Sequence, residues 1–420
     1  MRFFALITAL LLSGSAWAQT VIHAGQLFDA AAGEVIDGAT IVVDGDRIVS
    51  VQAGFVGEPD IDLSDAFVMP GWIDMHVHIG SEQNPDQFLE SFTLEPTDMA
   101  LRAVPYAERT LMAGFTTVRD LGTSDGVAQS LRRAVAEGHI VGPRIYTAGK
   151  SLATTGGHAD PSNGVNSELR TVPGPAEGVV NGVDDAYQAV RARYQEGSDL
   201  IKLTATGGVL SQAASGENPQ FTVPEIQAIV AAARDYGFRV AAHAHGAEGM
   251  RRAVVAGVDS IEHGTFMSDE VMELMKERGT WFVPTIVAGK FVEEMAKVDG
   301  FFSEVVRSKA AEIGPVIAGT FARAYEAGVP IAFGTDTGVS PHGDNWREFV
   351  YMTEGGMSPA EAIVSATRSA AMLLNQWDNL GSIEPGKYAD IIATPGDPRE
   401  NVDEFGRVHF VMKGGTVYRQ

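Results

Sequence analysis

Two histidines one residue apart are the first sign of chemistry. The stretch Pro70-Gly71-Trp72-Ile73-Asp74-Met75-His76-Val77-His78 reads as a turn followed by a short, mostly apolar strand. Side chains alternate faces along a strand, so His76 and His78 project from one side. Two imidazoles on one face are either half of a metal site or two satisfied core histidines. The pair alone leaves both readings open. Further residues of metal-binding or metal-compatible type recur at the ends of later apolar runs: Lys202, His243, His263 and Asp336. The chain has no cysteine, so a transition-metal site must use histidine and carboxylate, and thiol catalysis is excluded.

Positioning these groups requires a repeating scaffold. Short apolar runs at 73–79, 116–120, 144–148, 200–204, 239–243, 260–263, 281–285 and 331–336 alternate with helical stretches. Several helices have readable ends. Thr222-Val223-Pro224-Glu225 is a capping box with proline in the first turn, and Ser358-Pro359-Ala360-Glu361 is another. Gly237, Gly257, Gly279 and Gly328 close four of the helices. Eight strand–helix units over about 310 residues match an α/β (β/α)8 TIM barrel better than an open doubly wound sheet. In such a barrel the C-terminal strand ends share one mouth. His76 and His78, Lys202, His243, His263 and Asp336 then converge on it, which favours the metal reading.

The termini have a different character. Residues 39–51 form two alternating strands around Asp44-Gly45, and residues 408–418 form a second hairpin around Lys413-Gly414-Gly415. The expected organisation is a β domain from both ends, a small β-sandwich of residues 19–69 and 383–420, flanking a barrel of 70–382. Residues 1–18 read as a signal peptide: Arg2, an apolar stretch from Phe3 to Leu12, and Ala16-Trp17-Ala18 before the cut. The mature protein is therefore expected to be exported, periplasmic or secreted, with no membrane association after cleavage. A net charge of −23 argues against nucleic acid, whose binders cluster Lys and Arg.

The motifs PGWIDMHVH, LIKLTATGG, AAHAHG, IEHG and FGTD, at the first, fourth, fifth, sixth and eighth strands, resemble the amidohydrolase superfamily. The resemblance is to its binuclear form with a carboxylated lysine. It spans essentially the whole mature chain, and within the superfamily it is to the imidazolonepropionase-like and prolidase-like branch. That branch includes secreted amidohydrolases that degrade ochratoxin.

The resemblance implies two divalent metal ions, with Zn²⁺ expected. His76, His78 and Asp336 would hold the more buried ion and His243 and His263 the more exposed one. Lys202, as N6-carboxylysine, would bridge them. A hydroxide shared by the ions would attack the amide carbonyl, and Asp336 would carry the proton to the leaving amine. His245 shares the parity of His243 and is expected beside it as an oxyanion-stabilising group, although the two roles could be exchanged. His158, in Thr154-Thr155-Gly156-Gly157-His158, is either a substrate contact or a solvated loop residue. The loops 80–99, 151–184, 205–221 and 337–346 are candidate pocket walls.

The expected substrates are small-molecule amides: dipeptides or N-acyl amino acids, with ochratoxin A-type amides included. Cyclic amides, imidazolones or lactones at the same site form the second reading, and a non-catalytic barrel the third. Relatives form homo-oligomers up to octamers, so an oligomer is expected. No phosphate-binding loop, H-E-x-x-H helix, G-x-S-x-G elbow or G-x-G-x-x-G turn competes with these readings.

Overall fold

The structure is a computed structural model that describes residues 19–212 and 215–420. The expected signal peptide lies outside the described residues. Among the described residues, no helix is long and apolar enough to cross a membrane.

The N-terminal part supplies strands β1 (Thr20–Asp29), β2 (Glu34–Asp44), β3 (Arg47–Ala53) and β4 (Ile61–Pro70). Asp44 and Arg47 pair across the expected turn, where Gly45 takes the left-handed φ of 58° that a tight hairpin needs. Barrel strands follow: β5 (Trp72–Val77), β6 (Phe115–Asp120), β7 (Arg144–Thr147), β8 (Ile201–Thr204), β9 (Val240–Gly246), β10 (Ser260–Phe266) and β11 (Trp281–Val283). The chain ends with β12 (Ile391–Thr394), β13 (Phe410–Lys413) and β14 (Thr416–Arg419).

The terminal strands form one seven-stranded sheet in the order β14-β13-β12-β4-β1-β2-β3. The sheet curls until its far parts meet: Ile48 donates its N–H to Lys387, and Ala389 donates to Asp46. Its inner face encloses an apolar core that includes Ile22, Ile41, Val68, Ile391 and Phe410. The sandwich expected of the termini is thus a single sheet folded over its own core.

The barrel is assembled from two parallel pieces, β5-β6-β7 and β8-β9-β10-β11. One seam closes where Asp199 donates to the Thr147 carbonyl and Leu152 bridges Leu203. The other closes through residues 331–337, the expected eighth strand. Ile331 bridges Phe282, Thr337 bridges Val77, and Met75 donates to the Phe333 carbonyl. This segment pairs bond by bond rather than as a regular strand. Asp336 has a φ of 58°, which interrupts extended backbone. A Cβ on Gly334 would lie 2.4 Å from Val283, so only glycine lets the segment approach its neighbour.

Helices α1 (Gln87–Thr93), α2 (Pro96–Met112), α3 (Val127–Ala136) and α4 (Val183–Gln195) belong to the first half. The region 80–99, expected as loop, therefore contains α1 and the start of α2. The second half carries α5 (Val223–Asp235), α6 (Ala247–Ala256), α7 (Asp269–Arg278), α8 (Ile286–Met295), α9 (Glu304–Glu326) and α10 (Arg347–Glu354). The expected signals operate: Thr222 and Glu225 cap α5 reciprocally, and Gly257 and Gly279 end α6 and α7 in left-handed geometry. A buried stack of Trp72, Phe115, Phe349 and Phe405 ties the base of β5 to α10 and to the C-terminal region.

Candidate active site

β5 delivers its histidines as alternation requires. His76 is fully buried and His78 half-buried. Asp74, on the same face, accepts hydrogen bonds from the N–H groups of His76 and Thr335, from the Thr335 hydroxyl and from Asn345. Asp74 therefore fastens the end of β5 to the segment that carries Asp336. Burial pushes its carboxyl up to about 6, against the pull of those four bonds.

Around His76 the remaining groups gather. Asp336 Oδ1 lies 3.3 Å from His76 Nε2 and 3.1 Å from His78 Nε2. That oxygen is buried and has no hydrogen-bond partner. Lys202 Nζ lies 3.5 Å from His76 Nε2, and the rings of His76 and His263 are 5.0 Å apart. Ligand atoms of His76, His263 and Asp336 all fall within 4.8 Å of one another. Donors that share one ion at about 2.0–2.2 Å sit roughly 3–3.5 Å apart, which is the spacing of Asp336 Oδ1 from His76 Nε2 and from His78 Nε2, while His263 stands farther off. An unpartnered buried carboxylate oxygen facing two imidazole nitrogens fits a divalent cation.

Four of the histidines have one ring nitrogen anchored. His76 Nδ1 is 2.9 Å from Glu262 Oε2, leaving Nε2 toward Asp336. His263 Nδ1 meets the Thr285 hydroxyl at 2.8 Å, and His245 Nδ1 meets the Thr265 hydroxyl at 2.7 Å. His243 Nε2 is 2.9 Å from the Gly207 carbonyl. A carbonyl only accepts, so Nε2 carries the proton there and Nδ1 keeps its lone pair. Burial holds all four imidazoles in the neutral, ligating form: His76 is lowered to about 4, His245 to about 3, and His243 and His263 well below the usual value. Lys202 is lowered by burial to about 8, with Glu262 and Asp336 opposing. Burial also works against the charge of Asp336, yet His76, His78 and Lys202 hold its carboxyl below the usual range.

The eight residues singled out from sequence line one cavity of about 790 Å³ at the barrel mouth. His243 and His245 both face it, with rings 4.7 Å apart. His158 is no solvated loop residue: its ring stacks on His243 at 4.5 Å, and its Nδ1 is buried without a partner. A Cβ on Gly208 would come within 2.2 Å of that ring.

Sequence reasoning missed the supports. Glu262 is fully buried and accepts from Arg119 Nη2 at 2.9 Å and from the Ser260 hydroxyl, besides contacting His76. It was visible only as the residue before His263. Strand alternation would send neighbours to opposite faces, but His263 and Gly264 take φ values of 70° and 58°, and the register slips between His263 and Phe266. Both Glu262 and His263 consequently reach His76. Glu348 of α10 was also missed. It is fully buried and accepts from the N–H groups of Ile286 and Val287, fixing the start of α8 next to Thr285.

Residues 67–418 match the Amidohydrolase family, and the chain belongs to that family of metal-dependent hydrolases. It is 31% identical to the ochratoxinase of Aspergillus niger over 434 residues, covering 95% of this chain and 86% of the relative. A solved Xaa-Pro dipeptidase with methionine bound in its active site is 53% identical, with a TM-score of 0.93, covering 96% of this chain and all of that one. A prolidase complexed with N-methylphosphonate-L-proline is 32% identical, with a TM-score of 0.87 and coverage of 96% and 100%. The resemblance, the barrel and the expectation of an amide-bond hydrolase are borne out. The chain is an enzyme that hydrolyses amide bonds.

Proposed function

We propose that the enzyme hydrolyses dipeptides or N-acyl amino acids with two divalent ions, Zn²⁺ foremost, at the base of the cavity. His76, His78 and Asp336 would hold the inner ion, and His243 and His263 the outer one. The observation that carries this reading is that Asp336 Oδ1, a buried oxygen without a hydrogen-bond partner, faces His76 Nε2 at 3.3 Å and His78 Nε2 at 3.1 Å, with Lys202 Nζ 3.5 Å from the same His76 nitrogen. Bound there, divalent ions activate water at neutral pH and polarise a carbonyl.

Lys202 is the residue whose chemistry must change. A protonated ammonium has no lone pair, whereas the free amine adds CO2 to give a carbamate and release a proton. The resulting N6-carboxylysine would present two oxygens sharing one negative charge toward His76 and its neighbours. Asp336, held as a carboxylate, takes up the proton of the attacking water and returns it to the leaving amine. His245, anchored through Nδ1, turns Nε2 toward the carbonyl oxygen as it gains charge. The unpartnered Nδ1 of His158 gives the substrate a hydrogen-bonding group.

The substrate class is supported by the relatives: an ochratoxinase, a dipeptidase holding methionine, and a prolidase holding a phosphonate with proline attached. With residues 1–18 removed as a signal peptide, the enzyme works outside the cytoplasm as a homo-oligomer. Purified protein assayed on dipeptide, N-acyl amino acid and lactone panels tests the bond, and metal analysis tests the ions. Lys202→Ala is expected to retain less than one equivalent of metal and to lose at least about 100-fold in kcat. Two retained equivalents with normal turnover would remove the carbamate from the account.

A further inference from the structure

The walls of the cavity differ sharply in chemistry. One side, from the chain after β5, brings uncharged polar groups, Ser81, Gln83, Asn84 and Gln87, the last with a buried and unpartnered Oε1, interspersed with Pro85 and Phe88. Another side is mainly apolar. Val292 of α8 and Val306, Ile313 and Ile317 of α9 line it, with Val209 from the chain after β8 and Phe302 from the turn between the two helices. Val209, Val292 and Ile313 belong to an apolar cluster distinct from the main barrel core, against which Phe302 packs. α8 and α9 lie against each other, so this wall is a helix pair rather than a loose loop.

Charge is nearly absent from the lining. A fifth of the sequence is Asp, Glu, Lys or Arg. Among the described residues, Lys202 and Asp336 are the only such side chains that line the cavity, and both sit in the cluster at its floor. Lys309 of α9 stands behind this wall with its ammonium donating to the Gly208 and Ser211 carbonyls, so a charged group pressed against the apolar side chains would lose water for little return. A bulky hydrocarbon or aromatic group would gain by leaving water. About 790 Å³ is ample for such a group beside an amide.

We propose that the α8–α9 wall sets specificity: the enzyme selects amides with a large, uncharged apolar side chain next to the scissile bond and rejects acidic and basic ones. This rests on the amide-hydrolase reading and narrows its substrates.

Two homologous dipeptide series test it, Gly-Xaa and Xaa-Gly, with Xaa running through alanine, 2-aminobutyrate, norvaline and norleucine, then phenylalanine, aspartate and lysine. In one series kcat/KM should rise about fourfold per added methylene. Aspartate and lysine should fall at least about 100-fold below norleucine. Phe302→Asp, in the turn and half-buried, should flatten the series, and Val292→Thr, of nearly the same volume, should shallow it. Thermal unfolding confirms that both variants are folded. Calorimetric binding of free alanine, norleucine, aspartate and lysine to the native enzyme reads the wall without turnover, with norleucine expected to bind tightest.

Hydrolysis with equal rates along both series, or preference for a charged residue, overturns the specificity proposal while leaving the amide reading intact. No hydrolysis of any dipeptide or N-acyl amino acid overturns the amide reading. The binding order of the free amino acids then still decides the wall: norleucine tightest supports it, and no preference sinks it.

Discussion

Glu262→Gln is the sharpest probe of how the site is held. The substitution keeps side-chain volume but removes the charge that meets Arg119 Nη2 at 2.9 Å and His76 Nδ1 at 2.9 Å. Arg119 is 1% exposed, so its guanidinium would be left without a counterion in the barrel interior. Removing one partner of such a pair costs about 3–5 kcal/mol. That is a large share of the roughly 5–15 kcal/mol that holds a domain folded. A second loss is local. His76 would no longer donate to an anion, and loss of such a partner weakens metal binding about 10–100-fold. Urea unfolding of metal-stripped protein reads the first effect, and chelator competition on the loaded protein reads the second. The double variant Arg119→Met with Glu262→Met should cost less than the two single changes summed, because no charge is then stranded. A Glu262→Gln protein within about 1 kcal/mol of native, with unchanged metal affinity, would refute the reasoning.

Two further outcomes can be checked with the same protein. Gly208→Ala places a methyl group within 2.2 Å of the His158 ring, so the ring must leave its stack on His243. KM should rise several-fold while metal content stays native, and unchanged KM would argue against a substrate contact at His158. Glu348 gives a pH signature. Burial raises its carboxyl from the ordinary 4.5 to about 8, against the pull of two N–H bonds. A raised acid holds its proton more tightly when folded, so its stabilisation is complete below pH 4.5 and disappears as pH climbs through 8. The ceiling is roughly 5 kcal/mol. Native protein should lose stability relative to Glu348→Gln between pH 4.5 and 8 in urea titrations, whereas parallel curves would contradict the assignment.

Much of the barrel was legible because its strands are apolar runs and its helices end at glycine. The ligand candidates were legible because a barrel turns strand ends into neighbours. What escaped detection depends on backbone that breaks those regularities. Residues 331–336 read as a strand, but the close approach of Gly334 and the left-handed Asp336 make it a bond-by-bond closure. Glu262 escaped because the irregularity at His263 and Gly264 puts two consecutive residues to use at one site. Glu348 serves N–H groups 61 and 62 residues away, a distance over which no local pattern signals. The terminal hairpins were readable, but not the parallel pairing of β4 with β1, nor the seat of β12 between β4 and β13.

Three residues at successive strand ends, His263, Thr285 and Asp336, share the left-handed backbone that nature usually reserves for glycine. Each such residue carries a conformational cost of about 1–3 kcal/mol. Glycine would relieve that strain at any of the three, but it would leave a buried gap and remove a candidate ligand, the hydroxyl that meets His263 Nδ1, or the proposed proton carrier. A directed-evolution campaign on this enzyme would do well to score turnover alongside melting temperature from its first round.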